Sequence, residues 1–132
     1  MLVDAPCSGF GTLRRNPDLK WRFKADDLDR LLAQQASILT AASRLVRPGG
    51  WLVYATCSLL REENDDQVLA FLAQHPDFVL ESPMEVFQIQ AIVIGCETPL
   101  ESEGRVLGPV WRTDPLRDAC DGFFAARMRR ER

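Results

Sequence analysis

The stretch from Asp26 to Val46 sets its apolar residues at helical spacing. Leu28, Leu31, Leu32, Ile38, Leu39, Ala42, Leu45 and Val46 share one stripe, with Gln35 on it. Asp26 and Asp27 suit the start of such a helix by charge, and Arg47-Pro48-Gly49-Gly50 ends it. A short apolar run flanks the helix on each side: Leu2-Val3 before it and Trp51–Thr56 after it. Two strands joined by one helix form a parallel pair, and parallel pairs belong to α/β sheets. The nearly unbroken run 51–56 reads as a strand buried on both faces.

The rest of the chain extends that sheet. Residues 5–24 read as a long loop punctuated by Pro6, Gly9, Gly11 and Pro17. Ser58 or a neighbour is expected to cap a second helix over 62–74, with Val68, Leu69 and Leu72 inward and Pro76 as its stop. Phe78–Leu80 is a short strand. The segment 83–109 leaves strand and buried helical turn both open for VFQIQAIVIG, and PLESEGRVLGP reads as an exposed loop. GPVWRT and GFFAARMRR read as the arms of a terminal antiparallel pair. The expected fold is therefore α/β, the second half of a doubly wound sheet, mixed because its last strands are antiparallel. At 132 residues the chain suits one domain. MLVDAPC opens without a cap or turn, so residues 1–132 are expected to form a partial domain that starts inside a sheet.

Composition narrows the setting. No apolar run approaches the ~20 residues that span a bilayer, and no signal peptide is visible. The 4 cysteines include no CxxC and the chain has 1 histidine, His75, so no metal site is expected. Free thiols in a reduced, cytoplasmic protein are the expectation. The net charge is −3, but the bases cluster. Arg14, Arg15, Lys20, Arg22 and Lys24 fall together, and Arg127, Arg129, Arg130 and Arg132 close the chain, where they read as a solvated tail.

Sites in open parallel sheets form beyond the carboxyl ends of the strands. Asp4 and Cys7 follow the first strand there, and Cys57 follows the second, so the three are expected to share a cleft. A lone cysteine is most often a small buried hydrophobe. These two lie in polar, turn-like settings, APCSG and ATCSL, and Cys57 precedes a helix start that favours a thiolate. Cys96 and Cys120 have no such setting.

Three strings in order carry a resemblance. DAPCSGFGTLRRNPDLKW, GGWLVYATCSLLREEN and CDGFFAARMRR resemble motifs of the Nol/Nop/Sun (Sun- or Fmu-type) family of RNA cytosine-5 methyltransferases. The resemblance implies the C-terminal half of a Rossmann-like methyltransferase fold that uses S-adenosyl-L-methionine. It implies that Cys57 is the nucleophile that adds to cytosine C6, and that Cys7 assists release. Asp4 would lie near both the cofactor and the cytosine, with Pro6 beside the cofactor. Asp121-Gly122 reads as a structural turn.

The same resemblance makes the basic loop a face for RNA, ribosomal or transfer, with Arg14, Arg15, Lys20 and Lys24 on phosphates. Trp21 is expected to pack on the following helix rather than to stack on a base. The family's glycine-rich cofactor loop and ribose-binding acid have no counterpart in the chain, so weak or absent cofactor binding and no turnover by this chain alone are expected. Two other readings stand beside this one: a non-catalytic RNA-binding module, and an amino-methyltransferase, whose Asp/Asn-Pro-Pro-aromatic motif DAPC only partly matches. The surface that the absent first half of the domain would cover is expected to drive a homodimer or higher oligomer, two-fold by preference: the apolar faces of the first helix and the sheet should dominate, with the short open edge at Met1–Asp4 adding little.

Overall fold

The computed structural model describes residues 1–91, 93 and 95–132. Its single sheet contains β1 (Leu2–Asp4), β2 (Trp51–Thr56), β3 (Phe78–Glu81), β4 (Cys96–Ser102), β5 (Arg105–Thr113) and β6 (Phe123–Arg130). The strand order is β1-β2-β6-β5-β4, with β3 also paired to β6. β1 and β2 are parallel, and the remaining pairs are antiparallel. The helices are α1 (Leu19–Arg22), α2 (Ala25–Ser43), α3 (Asp65–Gln74) and α4 (Met84–Ile89). The architecture matches the expected mixed α/β sheet, with α2 as the crossover between β1 and β2.

Alternation along two adjacent strands builds the core. Leu52, Tyr54 and Thr56 of β2 stand opposite Met128, Ala126 and Phe124 of β6, and all six are buried. All but Thr56 join Leu39, Ala42 and Val46 from the α2 region and Val68 and Phe71 from α3 in one cluster. The ring of Tyr54 meets Phe124 edge-on, centroids 6.3 Å apart. β2 is not buried equally on both faces, as its apolar run suggested. Val53 and Ala55 are half-buried and Trp51 is exposed, because that face carries charge. Trp51 Nε1 donates to Glu81 Oε2 at 2.7 Å, and Arg127 stacks over the Trp51 ring at 4.9 Å.

That polar face corrects the expectation for the terminal arginines. Arg127 and Arg129 pair with Glu81, and Arg130 pairs with Asp77 at 2.8 Å. They are strand residues whose side chains fasten β3 to β6 rather than a solvated tail. A second correction concerns 99–109. Pro99 to Ser102 completes β4, Glu103 and Gly104 turn with positive φ, and β5 starts at Arg105, so the expected loop is a hairpin. Within VFQIQAIVIG, Val86 to Ile89 is helical, and residues 92 and 94 lie outside the described residues. The loop 5–24 is also shorter than expected, because a 3-10 turn at Phe10–Thr12 and α1 interrupt it. Among the described residues no helix is long and apolar enough to cross a membrane.

Candidate active site

β1 and β2 place Asp4 opposite Ala55 and leave the sheet at the same end. The Ala5 N–H still donates to the Ala55 carbonyl at 2.9 Å, so the two chains stay in register into the loops. Cys7 comes three residues after β1 and Cys57 immediately after β2. Their Sγ atoms lie 3.5 Å apart, with both side chains partly buried. This is hydrogen-bond range for sulfur and well beyond a disulfide length of about 2.05 Å. All four cysteines are free.

The sulfur pair polarises its own ionisation. The hydrogen bond from Cys7 is the largest influence on Cys57 and lowers its pKa to about 7, against burial and the charges of Asp4 and Glu63, which raise it. The same bond, then burial, pushes the Cys7 thiol far above its ordinary value. The pair thus favours the thiolate at Cys57 and the proton at Cys7. A helix N-terminus is not the cause, as the sequence suggested. α3 begins only at Asp65, after a 3-10 turn at Arg61–Glu63. Ser58 does not cap it either.

Ser58 instead belongs to a buried polar knot beneath the sulfurs. Glu63 is fully buried, and its carboxylate has no ion pair among the described residues. Four donors satisfy it: the Ser8 N–H at 2.8 Å, the Ser8 hydroxyl at 2.6 Å, the Ser58 hydroxyl, and Gln35 Nε2 at 3.1 Å. Gln35 Nε2 also donates to the Pro6 carbonyl at 2.9 Å. Tyr54 donates its hydroxyl to the Glu63 carbonyl at 2.7 Å, and Asn64 Nδ2 donates to the Ser58 carbonyl at 2.9 Å. A buried carboxylate is costly unless such donors meet it. Sequence reasoning did not single out Ser8, Ser58 as a clamp, or Glu63. Two signals were available: Cys-Ser recurs at both strand ends, and a glutamine sits on the apolar stripe of α2.

The other expected site residues lie around this centre. Asp4 is exposed, and its carboxylate has no hydrogen bond or ion pair among the described residues. The Pro6 ring is exposed. Arg14 donates to the Ala119 carbonyl at 2.8 Å, and Arg15 pairs with Asp121, so both tie the loop to the turn before β6 while remaining largely open to solvent. Lys20 and Lys24 are exposed, with the Lys20 ammonium 5.1 Å from the Trp21 ring centre. Trp21 does not pack on α2. It is 81% exposed, and Phe10 and Phe23 pack on each other.

Residues 1–129 match the family described as 16S rRNA methyltransferase RsmB/F. The chain is 41% identical over 131 residues to the probable ribosomal RNA small subunit methyltransferase B of Bacillus subtilis (strain 168), covering 99% of this chain and 27% of that protein. It is equally identical over 131 residues to ribosomal RNA small subunit methyltransferase B of Sodalis glossinidius (strain morsitans), covering 99% and 26%. The chain therefore spans about a quarter of the length of these relatives. Among solved structures it superposes on that titled PH0851 with a TM-score of 0.76 at 34% identity, covering 98% of this chain and 26% of that one. It also superposes on NSun6 from Pyrococcus horikoshii with SFG, with a TM-score of 0.73 at 28% identity, covering 99% and 29%.

Proposed function

The chain belongs to the 16S rRNA methyltransferase RsmB/F family, and from that premise we propose that it carries the reactive cysteines of an RNA cytosine-5 methyltransferase acting on small-subunit ribosomal RNA. One observation carries the reading: two thiols lie 3.5 Å apart at the ends of parallel strands, where the Cys7 hydrogen bond lowers the Cys57 pKa.

Cytosine C5 is a weak nucleophile. Attack by the Cys57 thiolate on C6 forms a C–S bond and moves electron density to C5, which then accepts the methyl group. Loss of the C5 proton and cleavage of the C6–S bond return the thiolate. Cys7 suits the release half of this cycle. Its proton is held mainly by the neighbouring Cys57 sulfur. Once that sulfur is bonded to carbon, the charge that held the proton is gone, and Cys7 becomes easier to ionise as a base.

S-adenosyl-L-methionine, when bound, would supply an electrophilic methyl group. The residues present fit one side of such a site: Asp4 offers an unengaged acceptor at the strand end, with Pro6 shaping the turn beside it. Lys20, Lys24 and the solvent-facing parts of Arg14 and Arg15 would position phosphates, and Trp21 is free to stack on a base. The homodimer is a proposal of the same kind: among the described residues the outer edge of β1 has no strand partner, Leu2 is exposed on it, and light scattering of the chain tests it.

The function is tested with a chimera in which this chain replaces the matching quarter of a full-length relative. Transfer to C5 of a cytosine in small-subunit RNA is the expected product. A methyl group on the exocyclic nitrogen would point to amino-methyl transfer, and RNA binding without transfer to a non-catalytic module.

A further inference from the structure

The geometry points to Glu63 as the positioning residue of the cysteine pair, a role that rests on the reading of Cys57 and Cys7 given above. Ser8 and Ser58 each follow one of the reactive cysteines in sequence, and both reach the same carboxylate. Ser8 does so through its backbone N–H and its hydroxyl, and Ser58 through its hydroxyl. The two hydroxyls also lie 3.1 Å apart. A single buried carboxyl group thus joins the loop after β1 to the loop after β2, one residue from each sulfur.

The clamp is itself held from behind. Gln35, fully buried on α2, bridges Glu63 and the Pro6 carbonyl. Leu60 donates its N–H to the Ser58 hydroxyl at 3.0 Å. Glu63 lies too deep to meet substrate, with no exposed surface, so its effect passes through the serines. Removing it would free both loops and let the sulfurs separate. Cys57 would then lose the Cys7 hydrogen bond that favours its thiolate.

The test uses the 132-residue chain and needs neither RNA nor cofactor, so its failure is separable from failure of methyl transfer. Two readouts report on the pair. One is the pH midpoint of Cys57 alkylation by iodoacetamide, with Asp4, Cys7 and Glu63 as the charged or titratable groups around that sulfur. The other is the rate of Cys7–Cys57 disulfide formation by diamide, which accepts the two protons and two electrons released. Glu63→Gln keeps the shape, and the serine hydroxyls can rotate to accept from its amide, so disulfide formation should stay within about twofold of the parent. Glu63→Ala should slow disulfide formation and raise the alkylation midpoint toward the ordinary thiol value, cutting labelling at pH 7 roughly tenfold. Should Glu63→Ala fail to fold, the double variant Ser8→Ala/Ser58→Ala replaces it with the same expected outcome. A folded Glu63→Ala or double-serine variant with parental midpoint and disulfide rate overturns the role. A folded Glu63→Gln that behaves like Glu63→Ala also overturns it, since the site would then need the charge and not the clamp.

Discussion

Gly122 donates its N–H to the Gly11 carbonyl at 2.8 Å, while Gly11 donates its own N–H to the Cys57 carbonyl at 2.8 Å. The turn before β6 is thereby stitched through the first loop to the Cys57 backbone. A β-carbon on Gly11 would overlap the Gly122 carbonyl and stand 2.7 Å from the Cys57 oxygen. These neighbours are backbone and cannot rotate away. Gly11→Ala should therefore destabilise the chain by about 1–3 kcal/mol, read as a lower urea midpoint. It should also disturb Cys57 labelling before the fold is lost.

Thiol titration follows from the sulfur pair. Cys57 is held down to about 7 chiefly by the Cys7 hydrogen bond, and Cys7 is pushed far up. A depressed pKa means the thiolate appears at lower pH than in a free cysteine. Iodoacetamide labelling of Cys57 should thus rise through pH 7, rather than near 8.5 as for an ordinary thiol. Cys7 should react only after Cys57 has been alkylated, since carbon on that sulfur removes the charge that holds the Cys7 proton. Cys7→Ser provides the control: a hydroxyl is a different donor, so the Cys57 midpoint should move. Peptide mapping by mass spectrometry reads both sites.

The knot under the site has a structural share as well. Tyr54→Phe removes the hydroxyl that satisfies the buried Glu63 carbonyl. The ring and its contact with Phe124 survive, so the loss isolates one hydrogen bond. It should cost about 1–2 kcal/mol, measured by denaturant unfolding.

RNA contacts should separate by charge and by ring. In the chimera, Lys20→Ala and Lys24→Ala should each weaken binding of single-stranded RNA and lower the salt slope by about 0.7. Trp21→Ala should weaken binding by about 1–3 kcal/mol if the ring stacks on a base, with the slope unchanged. Fluorescence anisotropy at several salt concentrations distinguishes the two patterns.

Much of this architecture was legible because it rests on local pattern. The period of α2 and the apolar run of β2 declare a parallel βα unit, and that alone puts Cys7 and Cys57 at one end of the sheet. Pairings distant in sequence were not legible. Nothing local says that β6 inserts between β2 and β5, and so the arginines of β6 looked like a tail until Glu81 and Asp77 were seen opposite them. Glu63 lay hidden for a related reason. A glutamate in REEN reads as a solvated helix start, and only the return of Ser8, 55 residues away, makes it a buried clamp. Trp21 differed the other way: a large aromatic beside a helix reads as packed, and it stands 81% exposed on the single turn of α1.

In the proposed reaction Cys57 attacks RNA and Cys7 lets it go. The most direct measurement is denaturing electrophoresis of the chimera after incubation with labelled small-subunit RNA and S-adenosyl-L-methionine. Cys7→Ala should give a slow-migrating protein–RNA adduct, because the bond forms and is not released. Cys57→Ala and the double variant should give no adduct and no methylated product. A Cys57→Ala enzyme with near-parental methyl transfer, or an adduct that persists in the double variant, would contradict the account.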